Sequence, residues 1–259
     1  MQPFYIPDGD TLVATESTRG PWSNVHQHAG PPSALLVRAA EAAAPGMAIA
    51  RITVEMQRPV PISVMTVRVD VEKPGRKALV LRAVLEADGV PCLLARAVMM
   101  RVADVGVAPV THGQPPPPVD ASPPFEFDFF QYPVGYHTAM EARLARGTWG
   151  HGDMALWMRQ RVVLVAGELP SPAQRVLVIA DAGSGVSAAL DPRRFGFLNA
   201  DLTVHLVRPP AGEWVLMDSQ TFVGPDGRAL ADTALFDSDG RIGRSAQSLV
   251  VDPMPPAAR

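Results

Sequence analysis

Ile52-Thr-Val-Glu-Met-Gln-Arg-Pro59 and Leu202-Thr-Val-His-Leu-Val-Arg-Pro209 are two versions of one stretch, set 202 − 52 = 150 residues apart. Each reads as an alternating strand that stops at an Arg-Pro pair. Downstream of each come a Gly-Arg pair (Gly75-Arg76 and Gly227-Arg228), an alternating run and an acidic turn. Those turns, Glu86-Ala-Asp-Gly89 and Asp237-Ser-Asp-Gly240, are 237 − 86 = 151 residues apart. Upstream, His28-Ala-Gly30 ahead of Ser33-Ala-Leu-Leu36 answers to Asp181-Ala-Gly183 ahead of Ser187-Ala-Ala-Leu190. A spacing this long is several times the period of a solenoid unit, so it marks two homologous domains. Where the copies differ, one has room to keep chemistry that the other has lost.

Bulk properties fit that reading. A chain of 259 residues, 47% hydrophobic and 19% charged, accommodates two ordinary domains with sizeable cores and is not a disordered polymer. A net charge of −3 carries no basic footprint for nucleic acid. The single cysteine, Cys92, has no intrachain partner, which favours a reducing compartment, and beside Pro91 it reads as a small strand residue rather than a nucleophile. The first ten residues lack the basic and apolar regions of a signal peptide. No apolar run approaches the roughly 20 residues that cross a bilayer. A soluble, cytoplasmic protein is expected.

Pro115-Pro-Pro-Pro118 and Pro123-Pro124 mark a boundary, because such a segment fits neither a helix nor a sheet interior. The expected division is a first domain at 1–104, a linker at 105–124 and a second domain at 125–259. In the first, Gly30-Pro31-Pro32 and Pro45-Gly46 punctuate an Ala- and Leu-rich helix over 33–44. Strands follow around 52–56, 65–71, 77–86 and 93–102, the last two joined at Asp88-Gly89. In the second, a short helix over 184–190 precedes strands at 201–208, 213–222, 228–236 and 244–251. Segments 125–131 and 154–165 lie before that helix; the latter reads as a strand by its β-rich Val162-Val-Leu-Val165, with a helical start over 154–161 an equal alternative. One apolar helix followed by a hairpin-connected meander predicts an α+β unit, an antiparallel sheet wrapped around one central helix, built twice.

His28-Ala-Gly-Pro-Pro-Ser-Ala-Leu-Leu36 resembles the helix-opening His-Gly-Gly-Pro-Pro segment of the double-hotdog acyl-CoA thioesterases, with Ala29 in place of a glycine. Arg58-Pro-Val-Pro61 is similar to a strand end of that family. In the second domain, Asp181-Ala-Gly, Phe195-Gly-Phe-Leu-Asn-Ala-Asp201, Arg208-Pro209, Gly212-Glu-Trp214 and Ser245-Ala-Gln247 resemble bacterial acyl-CoA thioesterase II proteins. The resemblance runs from about Trp22 to Asp252. It implies a double hotdog that hydrolyses acyl-CoA without metal or redox cofactor, using an aspartate, a hydroxyl residue and a glutamine. Asp181 and Gln247 match the first and third, and Asn199 stands where the family has threonine. An amide still donates and accepts hydrogen bonds, although its shape differs. The implied roles are Asp181 as base or water-orienter, with Asn199 and Gln247 fixing the water. His28 and the Gly30 backbone would border the substrate, the latter as a source of oxyanion donors.

Plainer readings accompany each residue. Asp181 ahead of a helix is also a normal N-cap, Asn199 a turn former, Gln247 a solvated strand residue, and His28 a structural imidazole. The first domain has His28 at the place of Asp181 and Arg96 or Ala97 near that of Gln247, so a second site of the same kind is not expected. His26 and His28 lie on one side of an extended chain, but no third metal ligand is nearby in sequence. Arg193-Arg194 would suit the phosphates of coenzyme A or a solvated loop, and Arg58 and Arg208 suggest one shared structural role. Phe125, Phe127, Phe129, Phe130, Trp149 and Trp157 would line an acyl pocket or fill a core. An enoyl-CoA hydratase is disfavoured because Val186 and Ser33 stand where its histidine would follow Asp181 or His28 by five positions. A non-catalytic acyl-CoA or lipid binder is the main rival, kept open by Asn199. Monomer and homodimer are both compatible with the sequence.

Overall fold

The computed structural model describes residues 1–112 and 117–254; residues 113–116 of the expected linker, and with them part of its Pro115–Pro118 run, lie outside the described residues. In the first half, a hairpin of β1 (Tyr5–Asp8) and β2 (Thr11–Ala14) precedes α1 (Gly30–Ala43). Four strands follow: β3 (Met47–Met56), β4 (Val64–Lys73), β5 (Ala78–Ala87) and β6 (Val90–Arg101). The second half opens with α2 (Tyr136–Ala139), β7 (Met140–Gly147) and β8 (Asp153–Gln160). It continues through α3 (Pro172–Ala180), α4 (Gly183–Val186), β9 (Phe195–Asn199) and β10 (Asp201–Leu206). It closes with β11 (Val215–Val223), β12 (Arg228–Asp237) and β13 (Gly240–Pro253).

These strands make one antiparallel sheet in the order β1-β2-β4-β5-β6-β3-β10-β13-β12-β11-β8-β7, with β9 added on β13. The halves join where β3 pairs β10, and these strands are the two copies of the repeated stretch. Thr53 lies opposite Thr203, its own equivalent, with the hydroxyls 3.1 Å apart. Pairing of a segment with its copy in antiparallel register is what a local two-fold relation requires. Ile52, Val54, Leu202 and Val204 point inward from this seam and are fully buried. The β5–β6 hairpin turns at Asp88 and Gly89, whose φ values of 49° and 77° suit a two-residue primed turn.

The sheet wraps α1 and α3, which pack on each other. Pro31 and Pro32 start α1 where no N–H is needed, and Leu35, Leu36 and Val37 are buried at its centre. Each such aliphatic side chain contributes about 1.5–3 kcal/mol by leaving water. Gly30 is required by the helix contact, since a Cβ there would lie 2.3 Å from the Val178 carbonyl oxygen. Glu41 ties the other ends of the helices together, accepting from Ser171 Oγ and Gln174 Nε2, both at 2.8 Å.

The second half departs from the sequence reading in its helix. The central helix runs from Pro172 to Ala180, before Asp181, and only the single turn α4 falls in the expected 184–190 region. Ser171 caps this helix through the Gln174 N–H at 3.1 Å, with Pro172 in the first turn. Its Val176-Leu-Val-Ile-Ala180 run is buried on all sides, so no polar stripe betrays helical period. Asp181 therefore ends a helix and is not an N-cap. β7, β9 and the β1–β2 hairpin were not expected, and of 154–165 only the part up to Gln160 is β-strand, which leaves the β-rich 162–165 run outside it.

Candidate active site

A cavity of about 450 Å³ opens between the start of α1, the α3–α4 joint, the end of β3, β9 and the 127–130 segment. Asp181, His28 and Asn199 stand on its wall. Asp181 is only 5% exposed, so its carboxylate depends on protein partners in place of water. Asn199 Nδ2 donates to its Oδ1 at 2.7 Å, and Gln247 Nε2 donates to the same oxygen at 3.3 Å. His28 Nδ1 lies 3.0 Å from Oδ2.

Each partner comes from a different part of the chain. Asn199 ends β9 and Gln247 lies in β13, opposite Ala231 of β12. Gln247 does not line the cavity. Its amide is spent on the backbone behind Asp181, with Nε2 donating to the Asp181 carbonyl at 2.9 Å and Oε1 accepting from Ser184 N–H at 2.9 Å. It thus fixes the turn that aims Asp181, where the sequence suggested contact with the water. Gly183 permits this arrangement, since a Cβ there would meet Thr233 Oγ1 at 2.9 Å and Gln247 Oε1 at 3.1 Å.

The fold brings His28 to Asp181 from the other half of the chain, so the equivalent residues of the two copies meet. The His28 ring stacks on Tyr136 at 3.8 Å between centroids and 3° between planes. Tyr136 is fixed in turn by donating its hydroxyl to the Val178 carbonyl at 2.9 Å. Burial, and then the Asp181 charge, hold the Tyr136 phenol well above its usual range, so it remains neutral. Gly30 N–H also donates to His28 Nδ1, at 3.2 Å. Tyr136 had no signal in the sequence, because its role depends on a stack between residues 108 positions apart (136 − 28).

Gly30 is buried behind the wall and does not line the cavity. Its N–H is taken by His28, and Pro31 and Pro32 have none to offer, so the start of α1 is a poor oxyanion hole. Ala182, Ser184 and Gly185 border the cavity beside Asp181 instead. Of the aromatic residues singled out by sequence, Phe127, Phe129 and Phe130 line the cavity, joined by Trp22 and Phe197. Trp157 packs elsewhere, in a small cluster with Leu216 and Phe236. Arg193 and Arg194 are also off the wall; Arg194 lies over the Phe195 ring at 5.7 Å. No cluster of three metal-ligating side chains occurs among the described residues, and no helix there is long and apolar enough to cross a membrane.

Solved structures share this architecture. A candidate thioesterase II from Thermobifida fusca YX superposes with a TM-score of 0.77 at 16% identity, over 96% of this chain and 95% of that one. A hot dog fold protein from Alicyclobacillus acidocaldarius gives 0.74 at 16% identity, over 98% and 96% of the two chains. An acyl-CoA thioesterase II, TesB2, from Mycobacterium marinum gives 0.68 at 16% identity, over 97% and 96%. At these identities the likeness establishes the hotdog fold. No curated protein matches by sequence. Family models do match: the acyl-CoA thioesterase N-terminal domain over residues 18–100 and the acyl-CoA thioesterase C-terminal domain over 110–251. The second match alone spans more than half of the chain. The protein belongs to the acyl-CoA thioesterase family, and its activity is the hydrolysis of acyl-CoA thioesters.

Proposed function

We propose that this is a double-hotdog thioesterase of the cytoplasm, with repeats at 1–104 and 125–259 joined by 105–124, and that its single reaction centre is Asp181. The observation that carries the assignment is a buried carboxylate on a cavity wall, held by an amide from β9, a second amide from β13 and an imidazole from the segment before α1. A carboxylate so held has its orientation fixed before substrate arrives, which is what a general base requires. The strand pairing of the repeated stretch at Thr53 and Thr203 supports the two-repeat description.

Water bound beside Asp181 gives a proton to the carboxylate as its oxygen attacks the thioester carbon. The carbonyl oxygen becomes an oxyanion, for which the Gly185 backbone N–H on the cavity wall is the donor left in the Ala182–Gly185 turn, since the Ala182 and Ser184 N–H groups are bonded to the Ile179 carbonyl and to Gln247 Oε1. Collapse of the tetrahedral intermediate expels the coenzyme A sulfur, which recovers the proton from Asp181, leaving free acid and thiol. Asn199 donates one hydrogen bond to Asp181, and its own carbonyl oxygen is then placed to accept from the water. That bond supports retention of the threonine's role in a different shape. His28 shares the opposite carboxylate oxygen and borders the acyl group, while Gln247 acts through Asp181 as a positioning residue.

The test is thiol release from short, medium, long-chain and aromatic acyl-CoAs by wild type, Asp181→Asn and Gln247→Ala. Turnover that collapses in Asp181→Asn supports the assignment. Acyl-CoA that binds by calorimetry with no turnover anywhere in the panel would establish a binding protein instead.

A further inference from the structure

The two Arg-Pro pairs that close the repeated strands have opposite fates. Arg208 is locked, its guanidinium bound to Asp237 through two bonds of 2.5 and 2.6 Å. Asp237 is fully buried and also accepts from Ala211 N–H at 2.7 Å and Asp239 N–H at 2.9 Å. In the first copy the β5–β6 hairpin puts Ala87 at that place, 237 − 87 = 150 residues earlier: Ala87 pairs Val90 across its turn as Asp237 pairs Gly240. Ala87 has no carboxylate to offer, and its neighbour Glu86 pairs with Arg68 on β4. Arg58 is thereby released: its backbone N–H donates to the Cys92 carbonyl at 3.2 Å, but its guanidinium has no hydrogen bond or ion pair among the described residues. It is exposed and stands on the cavity wall together with His26 and Gln57.

An unpaired guanidinium at the rim of a cavity whose interior holds a buried carboxylate sets up a polarity along the cavity. Coenzyme A has the same order, with the thioester at one end of a long neutral pantetheine arm and the phosphates at the other. Guanidinium forks match phosphate oxygens in a bidentate way that no other side chain reproduces. We infer that Arg58 is the phosphate-recognition residue of the substrate site, binding the diphosphate or 3′-phosphate of coenzyme A at the cavity mouth. The inference rests on the acyl-CoA reading of the cavity, yet it concerns binding and is tested without turnover.

Calorimetry with coenzyme A, dephospho-coenzyme A and pantetheine, on wild type, Arg58→Ala and Arg58→Lys, decides the matter. Loss of one charge-assisted phosphate contact predicts a Kd for coenzyme A weaker by about tenfold or more in Arg58→Ala, with partial rescue in Arg58→Lys. Pantetheine, which lacks the phosphates, should distinguish wild type from Arg58→Ala by less than about twofold. A defect that persists with dephospho-coenzyme A assigns the contact to the diphosphate; one that vanishes assigns it to the 3′-phosphate. With acyl-CoA as substrate the loss should fall on KM. Coenzyme A bound equally by wild type and Arg58→Ala, or bound by neither, overturns the inference. Failure of Asp181→Asn to lose turnover would overturn the catalytic assignment and leave this binding result intact.

Discussion

At the start of its helix the first half of the chain carries an imidazole, His28, and at the aligned place the second half carries a carboxylate, Asp181. The fold brings the two within 3.0 Å of each other at one cavity. Two copies folded about a common seam need not make two sites. Equivalent positions face each other across that seam, so divergence at one pair converts them into partners. The Arg-Pro pairs diverged in another way. One arginine kept a buried acid and serves stability; the other lost it and faces the cavity.

The sharpest way to break the first contrast is Asp181→Asn. Removal of a general base is expected to lower kcat by about 10²–10⁴-fold, read by thiol release, while a denaturant midpoint close to wild type would show that the fold remains. Comparable turnover loss in His28→Ala would make the two residues equal members of a dyad; a smaller loss keeps His28 as an orienting partner.

The arginine contrast comes next. Arg208→Ala strands a buried carboxylate and should cost about 3–5 kcal/mol in urea unfolding, whereas Arg58→Ala at an exposed position should stay within about 0.5 kcal/mol. The same pair predicts a pH dependence. Burial by itself would raise Asp237, but its bonds to Arg208, Ala211 and Asp239 outweigh that and hold it below the usual carboxylate range. Its contribution is therefore fully present above the unfolded carboxylate value of about 3.9 and is lost as pH falls through the lower folded value. In Arg208→Ala, acid unfolding should begin at higher pH.

A steric comparison separates the helix contact from the site. Gly30→Ala would push a methyl into the Val178 carbonyl and should destabilise by about 1–3 kcal/mol, with activity per folded molecule falling because α1 carries the His28 turn with it. The smallest effect is expected at the seam. Thr53→Val and Thr203→Val each remove a part-buried hydroxyl contact, for about 1 kcal/mol or less, and the double variant should cost little more than either single one. Strictly additive losses would show that the two hydroxyls do not interact.

Alternation made the strands legible. Residues 52–56, 65–71, 77–86 and 93–102, and their counterparts after 201, fall in β3–β6 and β10–β13 because one face of each is buried and the other solvated. Pro-Pro and Pro-Gly punctuation placed α1. The same rules failed on α3, where burial on all sides erased the helical stripe, and on β1, β2 and β7, which are short or sit at the sheet edges. Asp181, Asn199 and Gln247 were singled out by motif, and they meet in space. What the motif did not carry was direction: Gln247 points at backbone, and Gly30 is buried against Val178.

The repeated stretch and the alternating, hairpin-connected strands were legible in the sequence alone, because periodicity and duplication are local or self-referential signals. It took the folded chain to show that the repeated strands pair with each other, that His28 meets Asp181 from the other half, and that the Tyr136 ring stacks on the imidazole. Those are contacts between residues 108 to 154 positions apart. They depend on side-chain direction and on which groups are left unpaired, and no local pattern records either.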